Sequence, residues 1–265
     1  MAAPTTISLM FHDVTDRPDE SGFRQPAAAR YKHTRKQFQQ YLEVLAELQL
    51  PVVTTAQLSD AVGAASVVFT FDDGGASAPI AADMLEEFGC RGIFFVTTDL
   101  IGTRGFMTPQ QICDLHSRGH VIGSHSCSHP DVFRSLTRDQ KNAEWTRSCD
   151  VLQQLLGAET DTASVPGGDC DAATFEVAAA AGIRHLFTSE QQTKPWQQAG
   201  ITCYGRLMML SSTTPETLRR WLKHPTVGIL PEQLVRMTKS GVKQLMGPVY
   251  LRLMRRRRAS HEQSR

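Results

Sequence analysis

The stretch VFTFDDGGAS, residues 68–77, decides how the rest of the chain is read. An apolar run ends there in two adjacent carboxylates and two glycines. Neighbouring carboxylates repel each other, so Asp72 and Asp73 carry a cost that a plain strand has no reason to bear. Successive side chains of a strand point to opposite faces, so a pair at its end can divide, one aspartate toward a ligand and its neighbour elsewhere in the same cleft. Gly74 and Gly75 permit a sharp turn and close approach of a substrate to the backbone. The competing reading is an ordinary turn or helix cap, for which DDG is a common composition.

Outward from this stretch, short apolar runs alternate with helical patterns. TISLMFH (6–12), LPVVTT (50–55), SVVFTFDD (66–73), RGIFFVTT (91–98), HVIGSHS (120–126), ASVPGG (163–168) and RHLFTS (184–189) read as strands, the sixth with a turn at its end. Between them, residues 34–48 carry Phe38, Leu42, Leu45 and Leu48 at helical spacing, and a short helix begins near Ala56. Residues 78–89 form a helix stopped by Gly89, and residues 108–119 one with Thr108 as N-cap and Pro109 at its first position. Further helices span 137–156 and 171–182, and Thr213 with Glu216 has capping-box spacing for a last one. This order means a mainly parallel sheet wrapped by helices, open or closed into a barrel, with functional groups collected after the carboxyl ends of the strands. The polar, breaker-rich residues 13–33 are too long for an ordinary connection and read as a surface loop flanking the site.

Three polar clusters fall where strands end. Besides DDGG, the segment GSHSCSHP places His125 and His129 four residues apart, so a helical turn or tight loop faces both imidazoles the same way, as two ligands of one divalent metal require. His120, just before that strand, reads as structural. The third cluster, LMFHDV, puts His12 and Asp13 at the end of the first strand. If Asp73, His125 and His129 share a metal, three protein ligands leave positions open for water and substrate, which is the arrangement of a catalytic site. Asp72 is then the candidate general base and His12 the candidate donor to a departing amine. The parts make a hydrolase of amides or esters.

With these residues in view, the chain resembles the polysaccharide deacetylases of the NodB-homology group, carbohydrate esterase family 4, over roughly residues 6–189. TFDDG is similar to that family's first motif and HSCSH to its second, H-[ST]-x-x-H. The resemblance implies Asp72 as base, and Asp73, His125 and His129 as ligands of a divalent metal, most often Zn2+. It implies a distorted (β/α) barrel with fewer than eight regular strands. Two departures stand out. The family's third motif carries an arginine, whereas SVPGG (164–168) has none; Arg206 in YGRLMML is a candidate to supply the charge from a later strand. The family's last motif, a Leu-x-x-His strand, is absent after Pro166, and LMFHDV resembles it instead, as in the circularly permuted branch. The resemblance then implies His12 as catalytic acid.

The 265 residues, 41% hydrophobic, suffice for one domain with an appendage, read as a catalytic domain over 1–225 and a helical, basic extension over 226–265. A formal net charge of +1 excludes a globally basic nucleic-acid-binding surface. Six scattered cysteines without a CxxC pair read as reduced thiols. No signal peptide or membrane anchor is visible at the start, so the cytoplasm is the expected location. Arg255–Arg258, behind Leu251, Leu253 and Met254, read either as a solvated tail or as a basic amphipathic helix resting on anionic lipid at the inner face of a membrane. The expected substrate is an acetylated glycan or glycolipid. Two other readings stand beside it: a metal-dependent hydrolase of non-peptide C–N bonds in small molecules, and an inactive glycan-binding relative.

Overall fold

The computed structural model describes residues 5–58 and 65–230. Of the basic extension read over 226–265, the part beyond residue 230 lies outside the described residues, and with it Arg255–Arg258. Among the described residues no helix is long and apolar enough to cross a membrane.

Along the chain come β1 (Thr6–Phe11), β2 (Asp13–Val14), β3 (Lys32–His33), α1 (Arg35–Leu48), α2 (Thr55–Leu58), β4 (Ser66–Phe71), α3 (Ala78–Glu87), β5 (Ile93–Val96) and α4 (Pro109–Ser117). They are followed by β6 (Val121–Ser124), α5 (Arg138–Leu156), β7 (Thr162–Ser164), α6 (Ala172–Ala180), β8 (His185–Phe187), β9 (Trp196–Gln198), β10 (Ile201–Tyr204), β11 (Leu207–Met208) and α7 (Pro215–Lys223). A nine-stranded sheet runs in the order β11-β1-β4-β5-β6-β7-β8-β10-β9, and β2 pairs with β3 in a small sheet of its own. Every pairing in the large sheet is parallel except that of β9 with β10. Its two edges, β11 and β9, do not meet, and β11 has only two residues. The sheet is therefore a curled, incompletely closed barrel, as the sequence leads one to expect.

Strand parity organises the two faces. Ile7, Leu9 and Phe11 of β1, with Val67, Phe69 and Phe71 of β4, pack under the helices against Phe38, Tyr41, Leu42 and Leu45 of α1 and Leu85 of α3. Val68, one residue out of phase, belongs to a separate cluster with Phe95, Phe187 and Tyr204 on the opposite face. Both faces are covered, so β1 and β4 are buried throughout, as central parallel strands should be. Even-numbered positions of β4 thus face away from the helices, and the residue after its end on that side is Asp72.

Capping sets several helix starts. Thr34, Thr108, Thr137 and Asp171 each accept a hydrogen bond from the backbone N–H three residues on, in reciprocal capping boxes. Two readings change. LPVVTT is no strand: Val52 makes a single bridge to Val67, because Pro51 has no N–H to extend a ladder. The last helix is capped by Thr214, whose side chain accepts from Thr217, with Pro215 fixing the first turn. Thr213 instead accepts from the Leu210 N–H. Short β9, β10 and β11 carry too few residues to show a period.

His33 is fully buried against Phe11 and Tyr41. Burial pulls its pKa down to about 4, the Leu210 backbone opposing and the nearby His12 charge adding to the fall. The unfolded chain therefore binds this proton below pH 6.5 while the folded chain does not, so stability should drop as pH falls from about 6.5 to about 4. The expected loss is on the order of 3 kcal/mol. Urea denaturation across that window should show a shallower pH slope in His33→Gln than in the wild type.

Candidate functional site

The parallel register brings the polar clusters to one end of the sheet. Phe11 pairs with Phe71, and the Asp72 N–H donates to the Phe11 carbonyl at 3.0 Å, so His12 and Asp72 leave adjacent strands at one level. Val96 pairs with Ser124, and the His125 N–H donates to the Val96 carbonyl at 2.9 Å. Ser164 ends β7 opposite Phe187.

After β4 the backbone turns abruptly, with Asp73 at φ 77° and Gly74 at φ 82°. The left-handed region is uncommon for a non-glycine residue and often marks a functional site. Gly75 serves a different purpose from the one its sequence suggests. A side chain there would strike the Asp13 carboxylate at 2.3 Å, so the close approach is to a buried internal group and not to a substrate. Asp13, buried, accepts hydrogen bonds from Ser21 and from Ser77 (2.8 Å), and Lys32 Nζ lies 3.9 Å away. It anchors the 13–33 loop and stands outside the candidate catalytic set.

His125 and His129 meet through a tight turn. Ser126 and His129 have φ of 65° and 54°, and the turn is stapled by Glu144 of α5, which accepts the N–H groups of Cys127 and Ser128, each at 2.9 Å. His125 Nε2 lies 3.5 Å and His129 Nε2 3.4 Å from Asp73 Oδ1. One ligating atom from each of the three residues lies within 4.8 Å of the others. Asp73 Oδ1 is buried, and its surroundings offer it those imidazole nitrogens and no conventional hydrogen-bond donor. His125 Nδ1 faces the Ser164 carbonyl (3.1 Å) and hydroxyl (2.6 Å), which assigns Nδ1–H there and leaves the Nε2 lone pair for a ligand. An unpartnered carboxylate oxygen beside two converging imidazole nitrogens fits a divalent cation of the zinc type. Burial raises the Asp73 pKa, but the His12 charge and the two neighbouring imidazoles of His125 and His129 outweigh it and hold the carboxyl well below its usual range. Burial lowers His129, and Asp73 more than reverses that, leaving it raised.

Asp72 is held by different partners. Arg206, 1% exposed, grips both its oxygens: Nη1 to Oδ1 at 2.6 Å and Nη2 to Oδ2 at 2.9 Å. The same guanidinium donates to the Thr188 carbonyl (2.9 Å) and the Thr70 hydroxyl (3.2 Å), and lies 5.7 Å over the Phe95 ring. Ser164 Oγ donates to Asp72 Oδ1 at 3.2 Å, linking the base candidate to His125. Burial opposes ionisation of Asp72, yet the Arg206 charge, with His125 behind it, leaves its pKa lowered. Arg206 therefore stands where the SVPGG segment lacks an arginine, while that segment contributes Ser164. Sequence reasoning missed Ser164, Glu144 and the aromatic rings over the histidines: Phe23 lies 4.9 Å from His129 and Tyr31 4.6 Å from His12. His120 is structural, accepting the Gly92 N–H at Nδ1 (3.0 Å) and meeting Glu86 Oε1 at 2.8 Å.

A curled, mostly parallel α/β sheet with a candidate two-histidine, one-aspartate metal centre at its carboxyl end defines the class, an incompletely closed α/β barrel. The comparisons are more specific. The polysaccharide deacetylase family matches residues 59–186, a little under half of the chain, and over that segment the chain is similar to the family. The match takes in Asp72, Asp73, His125, His129 and Ser164; His12 and Arg206 lie outside it. Chitin deacetylase 1 of Cryptococcus neoformans is 28% identical over 51% of this chain and 30% of its own length. The peptidoglycan-N-acetylmuramic acid deacetylase PdaA of Bacillus subtilis is 35% identical over 36% of this chain and 35% of its own. The chain thus spans about a third of the length of these relatives. Among solved structures, the Streptococcus pyogenes deacetylase PplD in complex with acetate matches with a TM-score of 0.70 at 19% identity, over 83% of this chain and 99% of its own. That likeness establishes the fold.

Removing Arg206 while keeping Asp72 leaves a buried charge without its partner, which costs about 3–5 kcal/mol. Arg206→Met should lower the denaturation midpoint accordingly, and Arg206→Lys, lacking the planar fork, should recover only part of it. Equilibrium urea melts of the two variants check both statements.

Proposed function

We propose that the chain is a metal-dependent deacetylase that hydrolyses acetyl groups, N-acetyl foremost, on the sugar of an acetylated glycan or glycolipid. The observation that carries this reading is the convergence of Asp73, His125 and His129 beside a separately held Asp72. The family match over residues 59–186 supports the reaction class, and the donor set supports a divalent cation, with zinc the ion it suits best. The place of β1 in the sheet, between β4 and β11, supports reading LMFHDV as the strand that relatives carry at the other end of the domain.

Asp73, His125 and His129 would hold the cation, which when bound supplies Lewis acidity toward water and toward a carbonyl oxygen. Asp72, kept ionised by Arg206 and oriented by Ser164, accepts a proton from the attacking water. As the C–N bond of the tetrahedral species breaks, His12 gives a proton to the departing amine, so acetate and a free amino sugar leave. Ser164 keeps the His125 ring fixed through Nδ1. Phe23, packed on His129 and 5.3 Å from Phe106, shields one side of the centre from water.

Asp73→Ala and His125→Ala should each lose both bound metal and acetate release. Asp72→Asn should keep the metal and lose acetate release by roughly 10²–10⁴-fold, the range for a general base. Elemental analysis paired with an acetate assay on acetylated oligosaccharides tests this. Undiminished turnover by metal-stripped protein would refute the reading. Hydrolysis of small amides with inert oligosaccharides would move the substrate to the small-molecule class. Metal and glycan binding without turnover of any acetylated sugar would leave a binding relative.

A further inference from the structure

We infer that Tyr31 is the positioning residue of His12, holding the imidazole by ring stacking where no carboxylate does so. The inference rests on the proposed role of His12 as proton donor and concerns how that donor is kept in place.

A histidine that moves protons usually has its second nitrogen fixed by a hydrogen-bond partner, which sets tautomer and ring direction. His12 has no such partner. Its Nδ1 is buried and unbonded, and among the described residues no acidic side chain forms a hydrogen bond or close ion pair with it. Asp13, next in the chain, is turned into the Ser21, Ser77 and Lys32 cluster. The titratable groups that act on or through His12 are Asp72 and Asp73, and His33, whose burial keeps it neutral down to about pH 4.

What does meet His12 is the Tyr31 ring, stacked with centroids 4.6 Å apart and planes 28° apart. The register explains the contact. In the parallel pair β2–β3, Asp13 stands opposite Lys32, so the residues just before them, His12 and Tyr31, are brought side by side. The pairing is secured by the buried Asp13 and by Lys32, whose Nζ donates to the Pro18 carbonyl at 2.5 Å and to that of Ser21. Tyr31 itself ends a 3-10 turn, Pro26–Tyr31, and carries the Arg30 guanidinium 5.5 Å over its ring.

Two consequences follow. A buried N–H without an acceptor is rarer and costlier than a lone pair without a donor, so neutral His12 carries its proton on Nε2. His12 is only partly buried, and Nε2 is absent from the buried, unpartnered set, which suits that nitrogen to proton delivery. The aromatic face, negative at its centre, favours the charged ring by cation–π attraction and restricts its rotation.

The test compares Tyr31→Phe, Tyr31→Trp and Tyr31→Leu in metal content, thermal melting, kcat and KM. Phe and Trp keep a ring and should retain kcat within about threefold, while Leu should lower kcat by on the order of 10- to 100-fold with KM and bound metal unchanged. In metal-free protein, imidazole 15N spectra, assigned with His12→Ala, should show His12 as the Nε2–H tautomer and a mixture of tautomers in Tyr31→Leu. An Nδ1–H tautomer in the wild type would overturn the inference, as would a Tyr31→Phe variant as impaired as Tyr31→Leu. If the wild type releases no acetate, the proposed function fails, and the spectra still decide whether Tyr31 holds His12.

Discussion

A carboxylate taken out of water needs a counter-charge, and much of the site is arranged around the one given to Asp72. Fully ionised and 4% exposed, it would be untenable in an apolar sheet interior. Arg206 supplies the charge in a bidentate grip while donating from Nε to the Thr188 carbonyl and from Nη1 to the Thr70 hydroxyl. This ties β4 to the turn between β10 and β11 across the face opposite the helices. The rings of Phe95, Phe187 and Tyr204 fill that face, and the guanidinium rests over Phe95. The pair therefore ionises the base candidate and also fixes how the late strands curl back toward the early ones.

Much of the architecture was legible in the sequence because its elements were long or well punctuated. The helix that starts after Thr108 declares itself through its cap and the one over 34–48 through its apolar spacing. The strands β1, β4, β5 and β6 are apolar runs ended by polar pairs. Among the chemical groups, Asp72, Asp73, His125 and His129 were legible since each pair sits within a few residues at a strand end. Ser164, Glu144 and Tyr31 were not, because their roles arise from register between segments far apart in the chain. Arg206 is intermediate: its charge was visible, but its aim depends on two short strands, Ile201–Tyr204 and Leu207–Met208, whose lengths give no period.

The 13–33 loop illustrates how a connection becomes part of a site. Its polarity and breakers indicate a surface excursion, yet its ends pair as β2 and β3 and its middle is fastened by the buried Asp13. Gly22 and Gly75 leave room for that carboxylate, which a side chain at either place would strike. The Gly22 N–H donates to the Gly105 carbonyl at 2.7 Å, joining the loop to the segment that carries Phe106. Phe23 and Tyr31 are thereby set against His129 and His12. The anchoring cluster is structural chemistry, and the two rings are what it positions.

The two adjacent aspartates resolve into a division made by the backbone. Asp72 still follows strand parity, so its side chain joins Val68 and Thr70 on the face where Arg206 waits. At Asp73 the chain has left the strand with φ 77°, which carries the second carboxyl away from the first and toward the histidine turn. Had the strand continued by one regular residue, Asp73 would point into the helix-packed layer beside Phe71, where an ionised group has no partner. The left-handed turn is thus the condition under which like charges can be neighbours in sequence. Each receives its own surroundings, a guanidinium for Asp72 and a metal-competent histidine pair for Asp73.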